Sequence, residues 1–170
     1  MYQVGDTTKA TEAELSKPQV AVGADGSTLV VHRIVNPDDS LSLVGHVLGS
    51  EAEEFNAQIV YQTFSSDYYP YPSSLVALKS GGYIFTWSTA TVSNSTPEGY
   101  LMLLGADGSS AGQPIAIDSS YVYNPQVMEL SDGNLFLTWR DSDTDARGTK
   151  GLILDAEGNP LTDKFLVNTN

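Results

Sequence analysis

The 170-residue sequence contains no cysteine and few basic residues. The lack of cysteine excludes disulfides and zinc–thiolate sites, although a secreted domain of this size can fold without them. The 21 acidic residues outnumber the 8 basic residues and give a formal net charge of −13. A nucleic-acid backbone or an anionic membrane surface would repel such a chain, so we expect no nucleic-acid partner.

Long apolar runs and a secretion leader are also missing. No segment approaches the roughly 18 consecutive apolar residues that a membrane span needs, so we predict no membrane insertion. Met1 is followed directly by Tyr-Gln-Val. The chain is therefore either cytosolic or an excised piece of a longer protein, and an incomplete unit at its beginning favours the second interpretation.

What the sequence does contain is an internal repeat of about 50 residues, which decides the fold. Asn124–Trp139 matches Pro72–Trp87 without a gap. Lys17–His32 is a weaker third copy, with histidine in place of the tryptophan. The turn glycines of the three copies lie 55 and 52 residues apart, at Gly26, Gly81 and Gly133.

Each unit is predicted to be a meander of four antiparallel strands. Asp-Gly pairs mark the hairpin turns, because these residues tolerate positive φ. In the third unit the predicted strands are Gln126–Leu130, Leu135–Arg140, Lys150–Leu154 and Lys164–Asn168. The second strand of each unit is apolar almost throughout, so we expect it to be covered on both faces.

We predict a single repeat domain over residues 1–170, with a surplus strand at its beginning. The alternating C-terminal strand Phe165–Thr169 recurs at Ile115–Ser119, Ile59–Thr63 and Tyr2–Asp6. This gives four copies of this strand but three of the tryptophan unit. The predicted divisions are a surplus strand and connector at 1–17 and units at 18–64, 72–119 and 124–170.

The fold class is all-β, and two architectures contain three four-stranded units. A β-propeller blade buries both faces of its inner strands against neighbouring blades. A β-trefoil strand faces one common core and should alternate cleanly between apolar and polar residues. Because the second strands are apolar on both faces, we predict blades of β-propeller type and keep the β-trefoil as the alternative.

The repeats resemble those of very large secreted bacterial proteins, namely surface adhesins and repeats-in-toxin-type exoproteins. Their pattern is P-x-V-x-x-L-x-D-G-x(5)-W, followed by D-x-x-G-x-P and F-x-V-N-T. The matching residues here are Pro125, Val127, Leu130, Asp132, Gly133 and Trp139, then Asp155, Gly158, Pro160 and Phe165–Thr169. The resemblance implies propeller-like arrays at a bacterial cell surface or in a secreted protein, without catalytic residues. Departures at His32, Ser73 and 51–58 leave the packing of the first unit open.

Three blades would leave apolar faces and strand edges uncovered, which proteins usually avoid. We therefore expect self-association, with a homodimer closing a six-bladed ring as the simplest arrangement. The alternative is that these are three blades of a longer chain.

A run of carboxylates between the second and third strands of the third unit suggests a cation site. Asp141, Asp143 and Asp145 lie at alternate positions, and Ca²⁺ prefers clusters of oxygen ligands. The EF-hand pattern fails, because Ala146 replaces the turn glycine and Leu152 stands at the position of the bidentate acid. The alternatives are therefore a Ca²⁺ loop and a solvated acidic hairpin.

Tyrosines precede the proline-led strands of the second and third units. Such rings on connecting loops could form a stacking platform for sugars. The alternative is that they fill the space between blades, as we expect of Trp87 and Trp139. The candidate ligand-binding residues are Tyr68, Tyr69, Tyr71, Tyr121 and Tyr123.

The sequence contains few of the residue patterns that indicate catalysis. His32 and His46 are the only histidines, no G-x-S-x-G motif occurs, and there is no cysteine nucleophile. We therefore predict a non-catalytic extracellular binding or adhesion module whose ligand is a glycan or a protein. The alternatives are a purely structural spacer and, third, a glycoside-acting enzyme that uses two of the 21 acids.

Overall fold

The computed structural model describes residues 17–49, 58–93, 96–118, 121–142 and 148–168, and these residues form three four-stranded antiparallel sheets. Sheet one contains β1 (Gln19–Val22), β2 (Thr28–Val35), β3 (Leu41–Leu48) and β4 (Ile59–Phe64). Sheet two contains β5 (Tyr68–Ala77), β6 (Tyr83–Thr91), β7 (Glu98–Leu104) and β8 (Ile115–Ala116). Sheet three contains β9 (Tyr123–Glu129), β10 (Leu135–Asp141), β11 (Gly148–Leu154) and β12 (Phe165–Leu166).

Each sheet is a meander in which strands adjacent in the chain are adjacent in space. The sheets stack in chain order, and their first strands β1, β5 and β9 lie next to one another. We call the edge at which these first strands begin the upper edge. The opposite edge, which carries the turns after β1, β5 and β9, is the lower edge. The described residues include no helix long and apolar enough to cross a bilayer.

The hairpin turns are fixed by short aspartate side chains. In the turn after β1, the Asp25 carboxylate accepts hydrogen bonds from the backbone N–H and the hydroxyl of Ser27, at 2.9 and 2.6 Å. The side-chain hydrogen bond from Ser27 is the main reason that the pKa of Asp25 lies below its ordinary value. The same arrangement recurs at Asp38–Ser40, Asp107–Ser109 and Asp132–Asn134.

Two apolar layers hold the stack together, one on each side of sheet two. The first lies between sheets one and two and includes Leu29, Val31, Leu43, Phe85, Trp87 and Met102. The second lies between sheets two and three and includes Ile84, Leu101, Val127, Leu137, Trp139 and Leu154. Two separate layers, rather than one common core, are consistent with propeller-type blades and disfavour the trefoil alternative.

Trp87 and Trp139 occupy equivalent positions. Each is fully buried on the face of its sheet that packs against the preceding sheet. Trp87 stacks on Phe85 and Tyr100, with ring centroids 5.2 and 5.5 Å apart. Both tryptophans therefore fill the space between neighbouring sheets, as predicted.

The expectation that every second strand is covered on both faces is wrong for two of the three units. β6 is buried on both faces, whereas β2 and β10 alternate between buried and partly exposed residues. The reason is their position, because within the part of the chain that the structure describes, sheets one and three end the stack and each has one neighbouring sheet. The predicted surplus strand at Tyr2–Asp6 lies outside the described residues.

Glycines in the turns after β7 and β11 allow close approach of neighbouring sheets. Gly108 has φ +77°, and a Cβ there would lie 2.6 Å from Cγ2 of Val47 in sheet one. Gly108 also accepts a hydrogen bond of 2.9 Å from the Tyr61 hydroxyl on its carbonyl. Gly158 holds the equivalent position in the turn after β11, where an added Cβ would contact Ile115 of sheet two.

We expect Gly108→Ala to lower the free energy of unfolding by about 2–3 kcal/mol, through positive-φ strain and overpacking together. Gly133→Ala is the matched control, because Gly133 has φ +87° but open space around its missing Cβ. The control should cost only the strain, about 1 kcal/mol. Urea unfolding measures both, and equal losses would show that contact with sheet one contributes nothing.

Candidate functional site

The upper edge gathers the residues that the sequence singled out for binding. The first strands of the sheets lie side by side there, and both β5 and β9 begin with tyrosine. The tyrosines were predicted on connecting loops, but β5 already begins at Tyr68 and β9 at Tyr123. Backbone pairing therefore fixes these rings more firmly than a loop would.

Tyr71 is the best-supported contact surface among them. The ring is 38% exposed, and the guanidinium carbon of Arg33 lies 5.9 Å from its centroid. Arg33 also donates a hydrogen bond of 3.4 Å to the carbonyl of Pro70. A cation over one face of the ring holds the side chain in place, and an exposed ring next to a charged donor suits a hydroxyl-rich ligand.

The three tyrosines of β5 do not form one platform. Successive strand residues point to opposite faces, so Tyr68 and Tyr69 diverge. Tyr68 packs towards sheet one, with its ring centroid 6.3 Å from that of Phe64. Tyr69 is 41% exposed. Tyr68 and Tyr71 are similarly exposed, at 40% and 38%, so all three rings reach solvent and Tyr68 in addition packs against sheet one.

The corresponding region of sheet three is a polar continuation of this surface. Tyr123 is 43% exposed, and Tyr121 is half-buried in the segment before β9. Asn124 has φ 52°, a left-handed conformation that asparagine tolerates better than most residues. The Gln126 side-chain amide donates to the Ser73 carbonyl at 2.9 Å and thereby joins β9 to β5.

Most described carboxylates are already committed to structural contacts. Asp25, Asp38, Asp107 and Asp155 have lowered pKa values, in each case chiefly because of a side-chain hydrogen bond within their own turn. Asp118 is buried and pairs with Lys164 at 2.8 Å. A carboxylate held ionised in a turn or an ion pair is poorly suited to donate a proton.

Asp141 was predicted in an open loop but lies at the end of β10, only 1% exposed and ion-paired with Lys150. Asp143 and Asp145 lie outside the described residues. No group of three potential metal ligands occurs among the residues that the structure describes. Calcium binding by these three aspartates stays a prediction.

Asp67 is the exposed carboxylate closest in sequence to the exposed tyrosines. It directly precedes β5, and its backbone carbonyl accepts a hydrogen bond from Val92 N at 2.9 Å. Glu98, at the start of β7, accepts a hydrogen bond of 2.6 Å from the Tyr100 hydroxyl. Burial and this hydrogen bond raise the pKa of Tyr100 to about 12. Asp67 therefore has fewer competing contacts than Glu98.

The two histidines lie together on sheet one. The rings of His32 and His46 stack with centroids 5.4 Å apart, and burial lowers the pKa of His32. Both are on the sheet face that points away from sheet two, as the register with Val30 and Val44 shows. The upper-edge tyrosines belong to sheets two and three, so we assign the histidines no part in the upper-edge surface.

Arg33 was not among the residues predicted from the sequence. It belongs to the first unit, whereas its contacts Pro70 and Tyr71 belong to the second. Only the stacking of the sheets brings them together. The one available signal was that Arg33 is a rare basic residue in an otherwise acidic chain.

The sequence matches no protein-family model and no curated protein. Solved structures are similar in fold. An endo-arabinase from Bacteroides thetaiotaomicron VPI-5482 has a TM-score of 0.62 at 14% identity, over 99% of this chain and 67% of the enzyme. The GH43_1 enzyme from Xanthomonas citri, solved with xylotriose, has a TM-score of 0.57 at 11% identity, over 92% of this chain and 56% of that one. The RS223 β-xylosidase has a TM-score of 0.54 at 12% identity, over 89% and 58%.

At these identities the likeness shows the fold. All three of these proteins are glycoside hydrolases with a propeller fold, and the chain spans 67%, 58% and 56% of their lengths. The prediction of a non-catalytic binding or adhesion module, and with it the expectation that the chain is not an enzyme, is contradicted by this finding. The glycoside-acting enzyme, placed third on sequence grounds, is the better-supported alternative.

Proposed function

We propose that the chain forms the sugar-binding part of a glycoside hydrolase that acts on arabinose- or xylose-containing polysaccharides. The observation that carries the proposal is the match of 99% of the chain to an endo-arabinase fold. The two other similar structures are a β-xylosidase and an enzyme that was solved with xylotriose, so the same sugar class recurs.

The upper edge supplies the chemistry such a function needs. Tyr71 and Tyr123 present exposed rings on two neighbouring first strands, and sugar rings stack on aromatic faces. Arg33, Asn124 and Gln126 place hydrogen-bond donors and acceptors close to these rings. A polysaccharide substrate also agrees with the predicted address outside a bacterial cell.

Glycoside hydrolysis needs a pair of carboxylates, one of which donates or accepts a proton. Asp67 is the described carboxylate that best fits one of these roles, because it is exposed, lies at the upper edge and adjoins the tyrosines. In the proposed reaction a carboxylic acid protonates the leaving oxygen, while a second carboxylate takes a proton from the water that replaces this oxygen at the sugar carbon. Asp67 would be the acid that protonates the leaving oxygen.

The test is release of reducing sugar from arabinan and xylan, and of nitrophenol from aryl arabinosides and xylosides. Wild type should release sugar, and Asp67→Asn should lower the rate by about 10²–10⁴-fold. Asp107→Asn is the matched control, because this acid lies in a lower-edge turn, and the control should keep its rate. Failure of wild type to act on any of the four substrates would refute the proposal.

A second measurement separates binding from catalysis. Tyr71→Ala should weaken retention on an arabinan or xylan affinity gel, whereas Asp67→Asn should be retained as wild type is. Retention of Tyr71→Ala at the wild-type level would remove this surface from the proposal while leaving the hydrolase reaction open.

A further inference from the structure

We infer that two copies of the chain associate head to tail. The outer face of sheet three in each copy, which points away from sheet two, would receive the outer face of sheet one in the other copy. This inference goes beyond the proposed function, because an association constant does not depend on catalysis.

The outer face of sheet three is apolar and exposed. Met128, Phe136 and Ile153 lie opposite one another across β9, β10 and β11 and therefore share this face. Met128 is 53% exposed and Phe165 is 39% exposed. The rings of Phe136 and Phe165 stack with their centroids 6.1 Å apart.

The outer face of sheet three is equivalent, residue by residue, to the face of sheet two that packs against sheet three. The row of Val76, Ile84 and Leu103 in sheet two corresponds to the row of Met128, Phe136 and Ile153 in sheet three. In sheet two this row packs against the Trp139 layer of sheet three. The outer face of sheet three is thus suited to receive the preceding-side face of another blade.

A hydrogen bond between sheets two and three predicts the position of the sheet from the second copy. Thr86 of sheet two donates a hydrogen bond of 2.7 Å to the carbonyl of Pro125, in the first strand of sheet three. Thr138 takes the place of Thr86, and Pro18 stands in the same Pro-Gln-Val sequence as Pro125. The expected contact is Thr138 of one copy donating to the Pro18 carbonyl of the other.

The outer face of sheet one is complementary in size. Val20 and Val22 are 57% and 61% exposed there. His32 occupies the position that tryptophan holds in the other two sheets, while Phe136 replaces the smaller Ile84. A larger residue on one face opposite a smaller residue on the other conserves volume, which apolar interfaces tolerate well.

Charge also favours this pairing over contact elsewhere on the molecule. The chain carries a net charge of −13, yet the outward-facing strand residues of both end sheets include no carboxylate among the described positions. Arg140 is the charged residue on the outward face of β10. Acidic turns lie at the edges instead, so stacking two copies brings together the least charged surfaces.

A second copy would extend the stack of three sheets. The three similar enzymes are longer than this chain, which spans 67%, 58% and 56% of them. Two copies stacked through both outer faces contain six sheets, within the usual range of four to eight blades for a closed ring. Ring closure makes both contacts simultaneous and leaves no outer face uncovered.

Light scattering on the full chain in 0.15 M salt tests the inference; the salt screens the net charge. The expected mass is twice 18.2 kDa. Met128→Glu and Val20→Glu should each weaken association by at least about a hundredfold, because each buries an unpaired charge in both contacts. Both side chains are more than half exposed, so folding should survive, as circular dichroism would verify. Val92→Glu, 69% exposed and away from both faces, is the matched control.

Mixing the two variants distinguishes head-to-tail from back-to-back association. The Val20→Glu copy keeps an intact sheet-three face and the Met128→Glu copy keeps an intact sheet-one face, so the mixture should regain a dimer. A mass of 18.2 kDa for wild type at every concentration up to the solubility limit would overturn the inference. A dimer unaffected by Val20→Glu would overturn it as well.

Discussion

Trp87→Ala is expected to lower the free energy of unfolding by about 3–5 kcal/mol, the usual cost of removing a large buried aromatic side chain. The side chain is 0% exposed and is stacked between Phe85 and Tyr100. Its removal leaves a cavity in the layer that joins sheets one and two. Urea unfolding followed by circular dichroism measures the loss.

Three further variants test the reason for this loss. Trp139→Ala should cost a similar amount, because Trp139 holds the equivalent position between sheets two and three. Tyr69→Ala should change stability by no more than about 0.5 kcal/mol, since its ring is on the surface. Trp87→Phe should cost less than about 2 kcal/mol, since among the described residues the buried indole N–H finds no hydrogen-bond acceptor.

A Trp87→Ala loss below about 1 kcal/mol, which is typical of an average substitution, would contradict this view of the layer. Unequal losses at Trp87 and Trp139 would show that the two interfaces are not built alike. Either result would weaken the equivalence of blades on which the head-to-tail dimer rests.

The repeat made the sheets predictable. Tryptophan at the end of the second strand and Asp-Gly in the turn recur because the sheets pack against one another through equivalent apolar layers. Asp132 and Gly133 illustrate this, since the carboxylate caps the turn and the glycine takes φ +87°. The prediction of three four-stranded antiparallel units is confirmed.

The fourth strands were predicted too long, because alternation of side chains does not guarantee a hydrogen-bonded ladder. The predicted strand Lys164–Asn168 shortens to Phe165–Leu166, and the fourth strand of sheet two is equally short, at Ile115–Ala116. These strands lie at the sheet edge and pair on one side only. Each therefore depends on few partners, and an alternating pattern overestimates its length.

The candidate site was less predictable than the fold. The contact between Arg33 and Tyr71 joins different units, and no local pattern announces it. Asp141 was misplaced because a D-x-D-x-D run resembles a cation loop in sequence. Asp141 is the first acid of this run, and it lies in the strand because β10 extends as far as this residue. The periodicity of a sequence does not locate the end of a strand accurately.

Lys150→Met is expected to lower the free energy of unfolding by about 3 kcal/mol, since it removes the positive charge that Lys150 places next to a buried carboxylate. Asp141 is only 1% exposed, and its carboxylate pairs with the Lys150 ammonium group. The two lie on one sheet face, because Asp141 pairs with Gly148 and Lys150 follows two residues later. Methionine keeps the length of the lysine stem but removes the charge. Urea unfolding at pH 7 measures the loss.

The double variant Lys150→Met with Asp141→Asn tests whether charge is the cause. Removing both charges should recover most of the lost stability, because a neutral amide costs less to bury than a carboxylate without its partner. Lys164→Met is the comparison at a more exposed pair, since the Lys164 side chain is 46% exposed, and about 1 kcal/mol or less is expected there. If the single and double variants are equally unstable, the loss comes from packing of the lysine stem and the ion pair contributes nothing.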